Sequence, residues 1–456
     1  VNPHIFREYD VRGIADTDLD DATVTAIGQA FGTLIIEQGL ELPHRIGIGY
    51  DARASSKRLF KALSVGLRRA GFDVVGLGLV PTPLVYFAAF TREDLGGAIQ
   101  ITGSHNPAEY NGFKMMRGHD TLHGATIREL RERIERGGLI EAAVPGQEVV
   151  WDGLIAAYSA WVKGNIKPGE RKLRVVLDSG NGVAGVVAPA LVREVFGSEV
   201  FELFSEPDAR FPNHHPDPTV EHNLQHLIAA VREHGADLGV AYDGDGDRIG
   251  VVDASGEIIW GDRLMILLSR AVLEEQPGAT VIGEVKCSQT LFDDITAHGG
   301  VAVMSKVGHS LIKAKIKETG AKLAGEMSGH IFFNDRFFGF DDAVYTTCRL
   351  LEILSKTDRS LAELMSDVPK TFATPELRVD CPDDVKFSVP GKVAAQLEGE
   401  FPVNTIDGVR VNFGQGWGLV RASNTQPVLV LRAEATSPEL RDAYLARLHA
   451  AIEAAR

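Results

Sequence analysis

Cysteine is scarce in this chain of 456 residues: Cys287, Cys348 and Cys381 are the three that occur, and no two form a CxxC. They fit reduced thiols better than a disulfide framework or a zinc site. Long apolar runs are also missing. The longest uncharged stretch, which includes Val74 to Phe90, is interrupted by Pro81 and Pro83 and falls short of a membrane-spanning helix. Positive charge is in deficit, with 47 Lys and Arg against 62 Asp and Glu and a formal net charge of −15. This balance disfavours a nucleic-acid partner, since affinity for a phosphate backbone comes from a basic surface, but it leaves room for a small anion at a local basic cluster. The opening residues Val1 to Glu8 contain no apolar signal core, so a cytoplasmic chain is expected. No G-x-S-x-G occurs, which removes support for serine-hydrolase chemistry.

Glycine, by contrast, is plentiful at 48 residues, and 44% of the chain is apolar. At roughly 100–200 residues per domain, the length calls for three or four domains. Short apolar strands alternate with helical periodicity. Arg45–Tyr50, Asp73–Leu77 and Gly97–Thr102 read as strands, with helices at Thr23–Gln38, Ser56–Ala70 and Pro81–Phe90 around them. The same style returns with strands at Leu173–Leu177, Val200–Leu203 and Leu238–Tyr242 and helices at Gly182–Phe196 and His222–His234. It returns again from the strand Thr280–Val285 through a helix at Ser288–His298 to Lys322–Ala324. This order predicts parallel sheets. The tail differs, with a hairpin-like pair at Gly418–Ala422 and Val428–Ala435 and a closing helix at Pro438–Ala455. Four domains are expected, at 1–148, 149–256, 257–369 and 370–456, with breaks near Pro145, Gly256 and Pro369.

Three unusual loops follow strands, where open α/β sheets bind ligands. Asp243-Gly244-Asp245-Gly246-Asp247-Arg248 sets three carboxylates at i, i+2 and i+4 between glycines, a pattern able to converge on one hard cation such as Mg²⁺. An EF-hand is excluded, because its sixth position would be Arg248 and its twelfth Ala254. Thr102-Gly103-Ser104-His105-Asn106-Pro107 holds a hydroxyl on a tight turn, as a nucleophile or phosphate carrier requires, although an ordinary Asn-Pro turn has the same letters. Gly325-Glu326-Met327-Ser328-Gly329-His330 offers a carboxylate, a hydroxyl and an imidazole suited to sugar hydroxyls or to a plain polar turn. In the tail, Arg421-Ala422-Ser423-Asn424-Thr425-Gln426-Pro427 suits a phosphate cradle or a hairpin turn. Lys286 and His309 are either cleft residues or surface side chains. The Gly47-x-Gly49-x-x-Ala52 run is rejected as a dinucleotide fingerprint, because its glycines fall within a strand.

These loops, in this order, resemble the α-D-phosphohexomutase family, most closely its bacterial phosphomannomutase/phosphoglucomutase branch. The match runs from Arg7-Glu8-Tyr9-Asp10-Val11-Arg12-Gly13 to Arg421–Pro427. The resemblance implies a phosphoserine at Ser104 and Mg²⁺ on Asp243, Asp245 and Asp247, with the Ser104 phosphate completing the sphere. It places Glu326 and Ser328 on sugar hydroxyls, and Arg421, Ser423, Asn424 and Thr425 on the non-reacting phosphate. Tyr9, Lys286 and His330 fall at substrate-binding positions, and Arg12, Lys114, Arg248 and His309 at catalytic ones, with Lys114 or His309 as a base. Met327 stands where the phosphoglucosamine branch carries Gln, and Gln426 departs from the usual small Thr or Ser.

The implied fold is three similar α/β domains with mixed sheets, instead of parallel ones, and a smaller C-terminal α+β domain, all around a central cleft. The implied reaction interconverts hexose 1- and 6-phosphates of mannose and glucose through a hexose 1,6-bisphosphate. The expected partners are small hexose phosphates, with no nucleic acid and no membrane, and the expected state is a monomer. Closure of the last domain on substrate is also expected. The rival readings are a phosphoglucosamine mutase, a Mg²⁺-dependent phosphatase and a non-catalytic sugar-phosphate sensor.

Overall fold

Ile46 and Ile48 alternate with glycine in the strand Arg45–Tyr50 and are both fully buried. Gly47 and Gly49 therefore lie inside a strand and open no helix. This strand sits in the middle of the first sheet of the computed structural model, which describes residues 1–39, 41–423 and 427–456. Asn424 and Thr425, expected in the phosphate cradle, lie outside the described residues, as does Gln426. The chain forms two compact units: Val1–Leu264 with Ser328–Leu364, and Met265–Met327 with Met365–Arg456.

In the first unit, Gly97–Ile101, Arg45–Tyr50, Asp73–Leu79 and Glu148–Val150 run parallel in that order. Tyr110–Arg117 then runs antiparallel to Gly97–Ile101 and to Val11–Ile14. The sheet is mixed for a simple reason. A parallel crossover needs about a dozen residues or more, and the loop after Ile101 reverses the chain in fewer. The second sheet repeats the device: Leu238–Tyr242 is parallel to Arg174–Asp178, which is parallel to Glu199–Leu203, whereas Ile249–Asp253 returns antiparallel after the aspartate loop. Both chemically unusual loops are thus tight reversals at the carboxyl ends of central strands.

The helix expected over Gly182–Phe196 is broken. A 3-10 turn, Val183–Val186, precedes an α-helix that starts at Ala188 with Pro189 in its first turn, where the missing N–H costs nothing. Helices Asp21–Glu37 and Ser56–Arg69 cover one face of the first sheet, and Phe31, Leu34, Leu63 and Leu67 from them join Ile46, Ile48, Ile99 and Ile101 in its core.

In the second unit, Val301–Ser305, Thr280–Glu284 and Leu323–Gly325 run parallel. The sequence pattern passed from the helix Gln289–Ala297 straight to the last of these, but a further strand, Val301–Ser305, and a helix, His309–Thr319, intervene. The C-terminal sheet is antiparallel, built on Val428–Ala435, Gly416–Ala422 and Val409–Asn412. Helices Val389–Leu397 and Pro438–Ala455 close its core through Val393, Leu397, Leu448 and Ile452. Each of the four domains has its own sheet, and the last is the smallest. Among the described residues, no helix is long and apolar enough to cross a membrane.

Candidate functional site

Ser104 adopts a left-handed backbone conformation, φ +48°, an uncommon one for a residue other than glycine. The strain is held by its surroundings: Ser104 N donates to Thr102 Oγ1 at 2.7 Å, and Arg12 Nη1 donates to Gly103 O at 3.2 Å and Asn106 Oδ1 at 3.1 Å. The conformation turns the buried Ser104 Oγ onto Asp243, to which it donates at 2.7 Å. His105 Nδ1 lies 3.0 Å from the same oxygen. With the hydroxyl proton on Asp243, that nitrogen is the donor, and burial followed by Arg248 and Arg12 pushes the imidazole pKa well down, keeping it neutral. Gly244 permits this approach, since a Cβ there would meet Ser104 O at 2.4 Å.

Asp243, Asp245 and Asp247 are fully buried, and one oxygen from each lies within 4.8 Å of the others. Asp243 Oδ1 accepts from the backbone N–H of Asp247 and of Arg248, both at 3.1 Å. Asp245 Oδ2 accepts from Thr82 Oγ1 at 2.5 Å and from Lys114 Nζ at 2.7 Å, and Lys114 also reaches Asp247 Oδ2. Asp245 Oδ1 and Asp247 Oδ1 are buried without a hydrogen bond among the described residues. Buried carboxylate oxygens of this kind are costly unless a cation completes them, and three hard oxygen donors at this separation suit Mg²⁺. The electrostatics agree. Burial, then Asp245 and Asp247, hold Asp243 well above the usual carboxylate range; burial and Asp245 raise Asp247; Lys114 outweighs burial at Asp245 and lowers it. Burial opposes the charge on Lys114, but Asp245 and Asp247 overcome it and hold the side chain as an ammonium.

His330 joins this cluster. A backbone bridge pairs it with Arg248, whose Nε donates to His330 Nε2 at 2.9 Å. Since Nε2 accepts, the ring proton is on Nδ1, which lies 2.9 Å from Asp341 Oδ2 and 3.6 Å from Asp247 Oδ1. The first unit therefore brings together Arg12, Ser104, Lys114, Asp243, Asp245, Asp247, Arg248 and His330. Tyr9 is half-buried in the bend before Val11–Ile14, and Ser328 is half-buried at the start of the segment Ser328–Leu364.

The second unit gathers another set. Glu326 Oε1 accepts from Gly308 N, beside His309, at 2.7 Å. Glu284 accepts from Met327 N at 3.2 Å and from Lys286 N at 2.5 Å, tying the loop of Glu326 to Lys286. Lys286 Nζ pairs with Glu376 at 3.2 Å; burial works against its charge, but Glu284 and Glu376 win and raise its pKa. Arg421 Nη2 pairs at 3.2 Å with Asp407, whose carboxylate also accepts from Val307 N, so the arginine is linked to the loop of His309. Ser423 is buried after the strand Gly416–Ala422.

Sequence reasoning missed Arg53, Thr82, Asp341, Glu376 and Asp407. Arg53 and Thr82 do follow the carboxyl ends of parallel strands, which was the available signal. The other three stand in segments with no motif.

Four family models cover the chain: phosphoglucomutase/phosphomannomutase α/β/α domain I matches residues 3–139, domain II 156–256, domain III 260–372 and the C-terminal domain 376–451. The chain belongs to the phosphoglucomutase/phosphomannomutase family. Among relatives in this family, a phosphomannomutase/phosphoglucomutase of Pseudomonas putida is 48% identical over 445 residues, covering 97% of this chain and 93% of its own. A phosphoglucomutase of Neisseria gonorrhoeae is 45% identical over 452 residues, covering 98% and 96%. The crystal structure of a phosphoglucomutase/phosphomannomutase family protein from Burkholderia thailandensis superposes with a TM-score of 0.93 at 42% identity, covering 100% of this chain and 98% of that one.

Proposed function

We propose that this chain interconverts hexose 1-phosphates and hexose 6-phosphates, of mannose and of glucose, by way of a phosphoserine at Ser104 and a hexose 1,6-bisphosphate. By family it is an isomerase of the phosphohexomutase class. The observation that carries the finer reading is the buried Ser104 Oγ, 2.7 Å from Asp243 in a three-carboxylate cluster two of whose oxygens accept no hydrogen bond among the described residues. The domains assigned to this work are 1–148, 149–256, 257–369 and 370–456.

Asp243, Asp245 and Asp247 would hold Mg²⁺, which when bound would offset negative charge on the phosphoryl group. The bond from Ser104 Oγ to phosphorus breaks as the free hydroxyl of the sugar monophosphate bonds to phosphorus. The hydroxyl gives up its proton, and the departing Ser104 oxygen takes one. Lys114 and His309 are the bases that the sequence suggests, but Lys114 is held as an ammonium by two carboxylates. His330 is the alternative acceptor: its Nε2 is the unprotonated nitrogen and now accepts from Arg248 Nε, and it can take the proton once Arg248 turns from it to the phosphoryl group; Nδ1 lies beside Asp341. Glu326 and Ser328 read hydroxyls that glucose and mannose share. Arg421, Ser423, Asn424 and Thr425, with Lys286, His309 and Tyr9, bind the rest of the substrate. The bisphosphate then returns its other phosphoryl group to Ser104 and leaves as the isomeric monophosphate.

Phosphorus NMR of the protein with glucose 1-phosphate, Mg²⁺ and a trace of glucose 1,6-bisphosphate tests this. The expected result is glucose 6-phosphate without free phosphate, and no conversion with Ser104→Ala. Release of inorganic phosphate instead would contradict the mutase.

A further inference from the structure

The carbonyl oxygens of the Ser104 loop are gripped one after another by side chains. Arg12 takes Gly103 O, and His215 Nε2 takes His105 O. Everything else converges on one residue, Arg53. Its Nη2 donates to Ser104 O at 2.9 Å and Asn106 O at 2.6 Å, and its Nη1 donates to Pro107 O at 2.5 Å and Tyr110 O at 2.8 Å. Its Nε donates to Asp51 Oδ2 at 3.2 Å.

Asp51 grips the other end of the same turn. Its Oδ2 accepts from Thr102 Oγ1 at 2.9 Å and from Gly103 N at 3.1 Å, and its Oδ1 accepts from Ser56 Oγ at 2.8 Å. The Arg53 side chain is fully buried, and its guanidinium lies so close under the turn that a Cβ at Gly103 would meet its Cζ at 2.3 Å. Burying a guanidinium is costly unless its donors are satisfied, and the loop carbonyls satisfy them. In exchange, the loop is held in the shape that gives Ser104 its positive φ, a conformation that needs support in a residue other than glycine.

We propose that Arg53, braced by Asp51, is the positioning residue of the phosphoryl-carrying loop: it touches no reacting atom, and it fixes Ser104 Oγ at the carboxylate cluster through the backbone. A lysine cannot replace it. One ammonium has three donors and no planar fork, whereas four carbonyls and a carboxylate are served here. The inference rests on the mutase reading above.

The test uses Arg53→Lys and Arg53→Met in the full-length protein, each assayed for kcat and KM with glucose 1-phosphate, with a crystal structure of whichever variant folds. A displacement of about 1 Å is expected to lower kcat on the order of 100-fold, with KM changed by less than about threefold. The structure is expected to have Ser104 out of its positive-φ conformation and its Oγ off Asp243. A folded Arg53→Lys protein with wild-type kcat, or with Ser104 unmoved, would overturn the proposal, as would a loss confined to KM. The crystallographic readout does not depend on turnover, so failure of the mutase reading would be seen separately, as an inactive wild-type protein.

Discussion

At Asp245, Lys114 and Thr82 claim one carboxylate oxygen, and the other accepts no hydrogen bond among the described residues. Asp245→Asn keeps the shape and removes the charge. Its Mg²⁺ affinity, measured by calorimetry, is expected to fall by at least about tenfold, with activity following; unchanged Mg²⁺ binding would place the ion elsewhere. His330 makes a different demand. If its Nε2 accepts the proton, His330→Gln is expected to lower kcat by roughly 10²- to 10⁴-fold with little change in KM, whereas His309→Gln is expected to act mainly on KM. The aspartates were legible in the sequence because spacing alone brings i, i+2 and i+4 together on a glycine turn. Arg53 and Asp341 were not, since their meaning lies in contacts with residues 104–110 and 330, which no local pattern encodes.

Loops and helices carry their own consequences. The helices Asp21–Glu37 and Ser56–Arg69 cross so closely that a Cβ at Gly66 would meet Thr25 O at 2.0 Å. Gly66→Ala must push the helices apart, and a stability loss of about 1–3 kcal/mol is expected from urea unfolding, without a change in KM. The segment carrying His214 and His215 adds a pH dependence. His214 Nε2 lies 3.0 Å from the buried Asp178 carboxylate. Burial acts to lower the imidazole pKa, but the bond and charge of Asp178 prevail and raise it above the ordinary 6.5. A folded-state pKa above the unfolded one stabilises fully below about pH 6.5, and the gain is lost as pH rises through the folded value. The difference in urea midpoint between wild type and His214→Gln is therefore expected to be larger near pH 6 than near pH 8.5; a larger difference at the higher pH would contradict the pairing. Strands were well marked as short, buried apolar runs, as at Arg45–Tyr50 and Leu238–Tyr242. The antiparallel return of Tyr110–Arg117 was hidden, because direction depends on loop length and not on strand composition.

Arg12, Ser104, Lys114, Asp243, Asp245, Asp247, Arg248 and His330 lie in one compact unit, and Glu326, Lys286, His309 and Arg421 in the other. Under the proposed reaction, glucose 1-phosphate is expected to alter the small-angle scattering profile; identical profiles would count against closure. Strand and helix alternation marked the α/β class, but it predicted parallel sheets, and the mixed sheets were implied only by the family resemblance. The strand Val301–Ser305 and the helix His309–Thr319 were not, because the strand is only partly buried and its pattern is weak. What unites the molecule is the claim that one serine carries the phosphoryl group. Mass spectrometry of the protein incubated with glucose 1,6-bisphosphate tests it most directly. The account predicts one phosphoryl group on the peptide containing Ser104, discharged by glucose 1-phosphate and absent from Ser104→Ala. A phosphoryl group on another residue, or mutase activity surviving in Ser104→Ala, would contradict it.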